Sequence, residues 1–237
     1  MLFIEHIIEP QRLLLTWQAP DKKDRMRRLI AELLMKDGRV SLRYLKDSSE
    51  FKEAIGMGFE GYPAFSLEKD TYHDVLDVFM RRLPPRSRTD FNTYLESIRI
   101  KPNSTISDFA LLGYAGARLP DDDFFIVHPF DNVNKECEAL LMVQGLRHYE
   151  GAMQLIKSGE LKIGTNVDLK KEPDNQYDNN SILVAYKGEK LGYICRGLLE
   201  SVNGWIDSGR IKSVSIERIN GEPEYRKVYI FLQVKGV

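Results

Sequence analysis

The stretch EPDNQYDNNSILVAYKGEKLGYI, residues 172–194, decides the fold of the second half of the chain. Its apolar runs, SILVAY and KLGYI, are short and set off by Gly and Asn, which is the pattern of strands joined by tight turns. The same texture extends outward through EALLMVQGL, IGTNVDLKK, IKSVSIERI and YRKVYIFLQV. Two helical stretches interrupt it: GAMQLIKS, and RGLLESVNGWIDSG with Leu198, Leu199, Val202 and Ile206 at helical spacing. Many short strands with turn signals predict a small barrel or sandwich. The polar opening EPDNQYDNN has the acidity of a calcium loop, but Gln176 stands where a third-position ligand belongs and the twelfth position from Asp174 is Ala185, so calcium is not expected.

Toward the N-terminus the composition turns acidic between Pro120 and Glu138, and Pro129 and Asn132 add breakers. A domain boundary is expected near 131–137, giving an α+β domain at 1–132 and a second domain at 139–237. In the first, RLLLTW at 12–17 reads as a strand. Asp21 is expected to open a helix in which Met26, Leu29, Ile30, Leu33 and Leu34 recur at helical spacing and Gly38 closes it. RVSLRYL at 39–45 alternates as a strand, and a short helix follows with Asp47 as cap and Glu50 completing a capping box. Further helices are expected around Leu76, Phe79, Met80 and Leu83, around Phe91, Tyr94, Leu95 and Ile98, and after Ser107.

The 237 residues suffice for two such domains, and 43% hydrophobic with 29% charged residues excludes disordered, collagen-like and membrane-spanning classes. Lys and Arg number 34 against 35 Asp and Glu, so a protein that coats long nucleic acid is excluded too. Two cysteines, Cys137 and Cys195, and four scattered histidines give neither a disulfide framework nor a metal set. No signal peptide is evident, and a cytoplasmic protein without cofactor or membrane association is expected. GMGFEG, with Gly56, Gly58 and Gly61, spells a phosphate-loop pattern, but a helix precedes it and Pro63 follows it, so it reads as a turn. No nucleophile elbow or paired carboxylates point to an enzyme. The basic stretch KKDRMRR at 22–28 reads as the solvated face of an amphipathic helix, and RRLPPRSR at 81–88 is the more suggestive, fitting nucleic acid, a docking partner or acidic neighbours equally.

Three segments then come together as a family pattern: VQGLRHYEG at 143–151, VDLKKEPDNQYDNNSILV at 167–184 and LGYICRGLLESVNGWIDSG at 191–209. In this order and spacing they resemble the HIRAN domain of Swi/Snf-type remodelling proteins and of bacterial proteins. The resemblance implies an OB-like β-barrel that captures the 3′ end of single-stranded DNA. By motif position it makes His148 and Tyr177 the rings that sandwich the terminal base, with Tyr149 beside them. Arg147 is implied as a phosphate-binding fork, and Asn175, Tyr193 and Arg196 as further polar contacts to terminal phosphates. Asp178 is implied as the acceptor for the 3′-hydroxyl, where its charge repels internal positions and phosphorylated ends. The family's duplex-wedging aromatic has a counterpart in Tyr225. Where the vertebrate pattern has tyrosine this chain has His148, whose imidazole stacks over less area.

In the first half, RVSLRYL, GYPAFSL, VFMRRLPPRSR and FALLGYAGARLP resemble in order the N-terminal subdomain of HipA-type toxin kinases. That likeness implies a docking module for a kinase or other protein partner and a bacterial toxin-antitoxin or phage-defence setting, with no kinase catalytic signature following it. The expected function is a non-catalytic adaptor for single-stranded DNA 3′ ends. The alternative is a protein-interaction regulator in which the barrel is a scaffold. Lys and Arg number 14 against 12 Asp and Glu in 140–237, and 20 against 23 in 1–139, so neither half is an electrostatic DNA binder and any footprint is confined to a strand end.

Overall fold

The computed structural model describes residues 2–20, 26–120, 122–222 and 226–237. The chain divides into two compact units: residues 8–95 with 102–131, and residues 1–7, 96–101 and 132–237. No helix among the described residues is long and apolar enough to cross a membrane.

The first unit is built on β1 (Arg12–Gln18), β2 (Arg27–Lys36), β3 (Arg39–Tyr44), β4 (Thr71–Tyr72) and β5 (Phe124–Val127). They form one antiparallel sheet in the order β4-β3-β2-β1-β5. Helices α1 (Ser49–Gly56), α2 (Leu76–Met80), α3 (Phe91–Ser97) and α4 (Asp108–Ala115) follow the chain between the strands. Leu13, Leu15, Ile30, Leu33, Leu42, Phe79, Phe109 and Ile126 are fully buried and make its core.

Two sequence expectations are corrected here. The helix expected from 21 to 38 is β2 over its described part; Asp21 itself lies outside the described residues. Ile30, Ala31, Glu32 and Leu33 are all buried in succession, so both faces of this central strand, paired with β1 and β3, are covered. A continuous apolar run in a central strand has no alternation, so helical spacing arises in it by coincidence. Asp37 and Gly38, at φ 49° and 75°, form the two-residue hairpin turn to β3, where Gly38 had been read as a helix stop. The cap of α1 is Ser48, whose hydroxyl accepts from Phe51 N–H at 3.1 Å, rather than Asp47. Glu50 turns away from that cap to accept from Leu29 N–H at 2.7 Å.

Buried Glu32 is held by Arg12 at 2.9 Å and Arg43 at 2.5 Å. Burial alone would raise its pKa, but the hydrogen bonds from Arg43 and Arg12 outweigh that and hold it below the usual carboxylate value. Three of the four arginines of RRLPPRSR are paired in the same way, and Arg81 is exposed. Arg82 is buried and bidentate to Asp122 at 2.5 and 2.8 Å, Arg86 pairs with Asp108 at 2.7 Å, and Arg88 with Asp90 at 2.6 Å. Gly58 and Gly61, at φ 91° and 110°, serve turns after α1.

In the second unit, β6 (Cys137–Met142), β10 (Ile211–Asn220) and β11 (Lys227–Val234) form a sheet in the order β10-β11-β6. A second sheet contains β7 (Asp168–Lys171), β8 (Ile182–Tyr186) and β9 (Glu189–Tyr193), in that order. Helices α5 (Glu150–Lys157) and α6 (Leu199–Asp207) lie between strands in the chain. The sheets meet through two isolated antiparallel bridges, Gln144 with Tyr193 and Asn166 with Ser215. The expected OB-like barrel is thus two three-stranded sheets linked at both edges by single pairs, without a closed ladder among the described residues. Ile216, Val228, Ile230, Phe231, Ile182, Val184, Leu191 and Val202 are fully buried and make the core of this unit.

This unit also includes two distant segments. Ile4 bridges Ile100 in parallel, with Ile4 N–H donating to the Arg99 carbonyl at 2.7 Å. Arg99 donates to buried Glu217 at 2.5 Å, and Arg218 donates to the Ser97 carbonyl. Glu138, 3% exposed, accepts from the N–H groups of Glu5 and His6 and pairs with the His6 ring, each at 3.0 Å.

A pH dependence follows from His128 in the first unit. Phe130 N–H donates to its Nδ1 at 3.0 Å, which assigns the proton to Nε2, placed 3.0 Å from the Ile8 carbonyl, and the ring stacks on Phe130 at 3.9 Å. Burial pushes its pKa down to about 4. The unfolded imidazole protonates near pH 6.5 and the folded one does not, so this contribution is complete above pH 6.5. It is lost as the pH falls through about 4, by an amount of about 3 kcal/mol. With Trp205 replaced by Phe, urea unfolding read at Trp17 should show a midpoint that declines from pH 6.5 to 4.5, and His128→Gln should flatten that decline.

Candidate nucleic-acid interface

The interface is assembled where β9 meets the chain leaving β6. Gln144 and Tyr193 exchange backbone hydrogen bonds of 2.8 and 2.9 Å. Gly192, at φ 140°, makes this approach possible: a Cβ there would collide with the Gln144 carbonyl and the Val143 side chain. Gly145, at φ 79°, then turns the chain into a 3-10 turn over Leu146–His148. Leu146 is buried, while Arg147 and His148 are exposed and Tyr149 is half-buried. Arg147 Nε donates to His148 Nε2 at 3.1 Å, and the rings of Tyr149 and Tyr193 lie 6.4 Å apart at 54°.

The loop 172–181 faces this turn through Tyr193. Asn175 organises it: its Oδ1 accepts from Tyr177 N–H at 2.9 Å and Asp178 N–H at 3.3 Å, an Asx turn. Its Nδ2 donates to Glu172 at 3.0 Å and lies 3.4 Å from the Tyr193 hydroxyl. The turn leaves Tyr177 79% exposed, the most exposed aromatic side chain of the described residues. Asp178 Oδ1 accepts from Asn180 N–H at 2.9 Å, and its Oδ2 lies 3.6 Å from Arg196 Nε. Arg147, His148, Tyr149, Asn175, Tyr177 and Asp178 thereby fall on two loops, Tyr193 ends β9 and Arg196 follows it. Tyr225 lies outside the described residues.

Sequence reading passed over Glu172. Its carboxylate accepts from Lys190 Nζ at 2.8 Å, Tyr193 OH at 2.7 Å and Asn175 Nδ2 at 3.0 Å. These bonds, Lys190 foremost, hold its pKa below the usual value. Desolvation and the bond to Glu172 in turn push the Tyr193 hydroxyl well above its ordinary range. The signal was the first letter of EPDN, read as loop acidity instead of as a hydrogen-bond acceptor. The sequence also gave no metal set, yet His6, Glu136 and Glu138 bring ligand atoms within 4.8 Å of one another. The Glu138 oxygens there are taken up by Glu5 N–H, His6 N–H and the His6 ring, so the cluster works as a hydrogen-bonded clasp.

Residues 141–235 match the family model of the HIRAN domain. Among solved structures, a Lactobacillus plantarum protein from structural genomics shares 22% identity over 42% of this chain and 98% of its own, with a TM-score of 0.33. The HIRAN domain of human HLTF shares 19% identity over 41% of this chain and 76% of its own, with a TM-score of 0.29. No curated protein matches the chain. The likeness of the first half to HipA-type kinase subdomains, and the toxin-antitoxin and phage-defence setting drawn from it, find no support in these comparisons. The HIRAN segment contains every residue of the interface just described.

Gly192→Ala tests the seam. Both the positive φ and the collision with Gln144 oppose a methyl group, so the second unit should lose about 2 kcal/mol or more, read as a lower urea midpoint of Trp205 fluorescence.

Proposed function

We propose that the protein binds the 3′ ends of single-stranded DNA through its HIRAN segment, and does so as a binding protein without a catalysed step. The observation that carries this reading is the continuous run of side chains from Tyr149 through Tyr193, Asn175 and Asp178 to Arg196, beside an outward-facing Tyr177. That combination supplies what a strand end requires. Tyr177 offers a free ring face for a terminal base, a contact of about 1–3 kcal/mol that is indifferent to sequence. Arg147 and Arg196 offer forked donors for the phosphates that follow. Asp178 accepts from a free 3′-hydroxyl and repels a terminal phosphate, and its Oδ2 lies beside Arg196. The near balance of charge in 140–237 fits a footprint of few phosphates.

Binding of a short labelled oligonucleotide ending in 3′-OH should exceed that of the same strand ending in 3′-phosphate, with a salt slope of about −2 for two or three phosphates. Tyr177→Ala should weaken binding by about tenfold or more while the urea midpoint holds. Equal affinity for the two ends overturns end capture. Turnover of labelled ends in the presence of divalent metals overturns the non-catalytic reading.

A further inference from the structure

The resemblance assigns Tyr193 a polar contact to phosphate, but the geometry around it is that of a different role. A phenol has one proton to donate. In this structure that proton points to Glu172, 2.7 Å away, and a carboxylate is a far better acceptor than water. The same carboxylate receives Asn175 Nδ2, the amide whose other end sets the Asx turn carrying Tyr177 and Asp178. It also receives Lys190 Nζ at 2.8 Å, which removes that cation from the pool open to DNA phosphates. Glu172 is thus joined to both loops of the interface: through Asn175 to the 172–181 turn, and through Tyr193 to the bridge with Gln144 and the ring of Tyr149.

We infer that Glu172 is a positioning residue of the strand-end site. It fixes Asn175, engages Lys190 and takes the Tyr193 proton, so that Tyr193 serves as a ring wall and hydrogen-bond acceptor and not as a phosphate donor. This rests on the DNA-end reading above and narrows it. Phosphate affinity then comes from Arg147 and Arg196, and the Tyr193 oxygen, which also lies 3.4 Å from Asn175 Nδ2 and is hydrogen-bonded with the Tyr149 side chain, has no proton left for a phosphate. Glu172 touches no ligand in this scheme. Its negative charge is compensated by Lys190, which lets a carboxylate stand inside a DNA-binding surface without repelling the strand.

Four variants of the whole chain test it, each with the 3′-OH oligonucleotide and with the side-chain amide resonances of Asn175 in a nitrogen-proton correlation spectrum. Tyr193→Phe keeps the ring and removes the hydroxyl; it should leave the salt slope unchanged and bind more tightly than Tyr193→Ala. Glu172→Gln replaces the shared acceptor by an amide that opposes donors; it should shift the Asn175 amide resonances and weaken binding about tenfold, the order expected for losing one charge-assisted hydrogen bond. Glu172→Asp, one methylene shorter, should restore part of that loss. A shallower salt slope in Tyr193→Phe would mean that the hydroxyl does contact phosphate, and would overturn the inference. So would a folded Glu172→Gln with wild-type affinity or with Asn175 resonances unmoved. If the wild-type protein binds neither end, the DNA-end reading fails, and with it the Tyr193 role. The Asn175 resonances would still decide whether Glu172 organises the loop.

Discussion

The pair of backbone hydrogen bonds between Gln144 and Tyr193 is the constraint on which the HIRAN segment depends. Each of its sheets has only three strands, too few to enclose a core alone, and the pair places the edge of one beside the chain leaving the other. Because Tyr193 is itself a member of the bridge, the backbone fixes where its side chain leaves the strand, and the bond to Glu172 then holds the hydroxyl. Everything proposed for the interface extends from that point: Gly145 and the Arg147–Tyr149 turn on one side, Glu172 and the Asn175 turn on the other. The absence of a side chain at Gly192 permits the approach, and this is why a glycine precedes the tyrosine in LGYI.

Much of this was legible in the sequence. Short runs bounded by Gly and Asn identified β7, β8, β9, β10 and β11, because a half-buried strand between tight turns leaves a local signature. The helix cap at Ser107 was equally local, whereas the helix expected through Leu83 ends at Met80. β2 was illegible for the opposite reason. Its residues are buried by neighbours distant in sequence, and nothing in RLIAELLM distinguishes a strand covered by others from one face of a helix. The decisive clue was the Asp37-Gly38 pair, which ends a strand as readily as a helix.

At the interface, the residue types were legible and their partners were not. Asn175, Tyr177 and Asp178 stand in one motif, so their proximity was assured, and Arg196 follows LGYI closely in the chain. The carboxylate of Glu172 had to be seen next to Tyr193 and Lys190 before it meant anything, since a Glu beside a Pro in a polar loop is ordinarily solvent-facing. Arg82, Arg86 and Arg88 follow the acidic-neighbour reading of their stretch: each is matched by an aspartate in space, which the sequence allowed but did not single out.

The Arg99–Glu217 pair bears on portability. Glu217 belongs to β10 inside the HIRAN segment, is 5% exposed, and takes its cation from a residue more than a hundred positions earlier. Excision of residues 141–235 along the family's limits would remove both that guanidinium and the 96–101 segment packed beside it. In this chain the HIRAN fold is therefore not an interchangeable cassette. It has been fitted to its host sequence, and transplanting it calls for a new partner or a neutral residue at position 217.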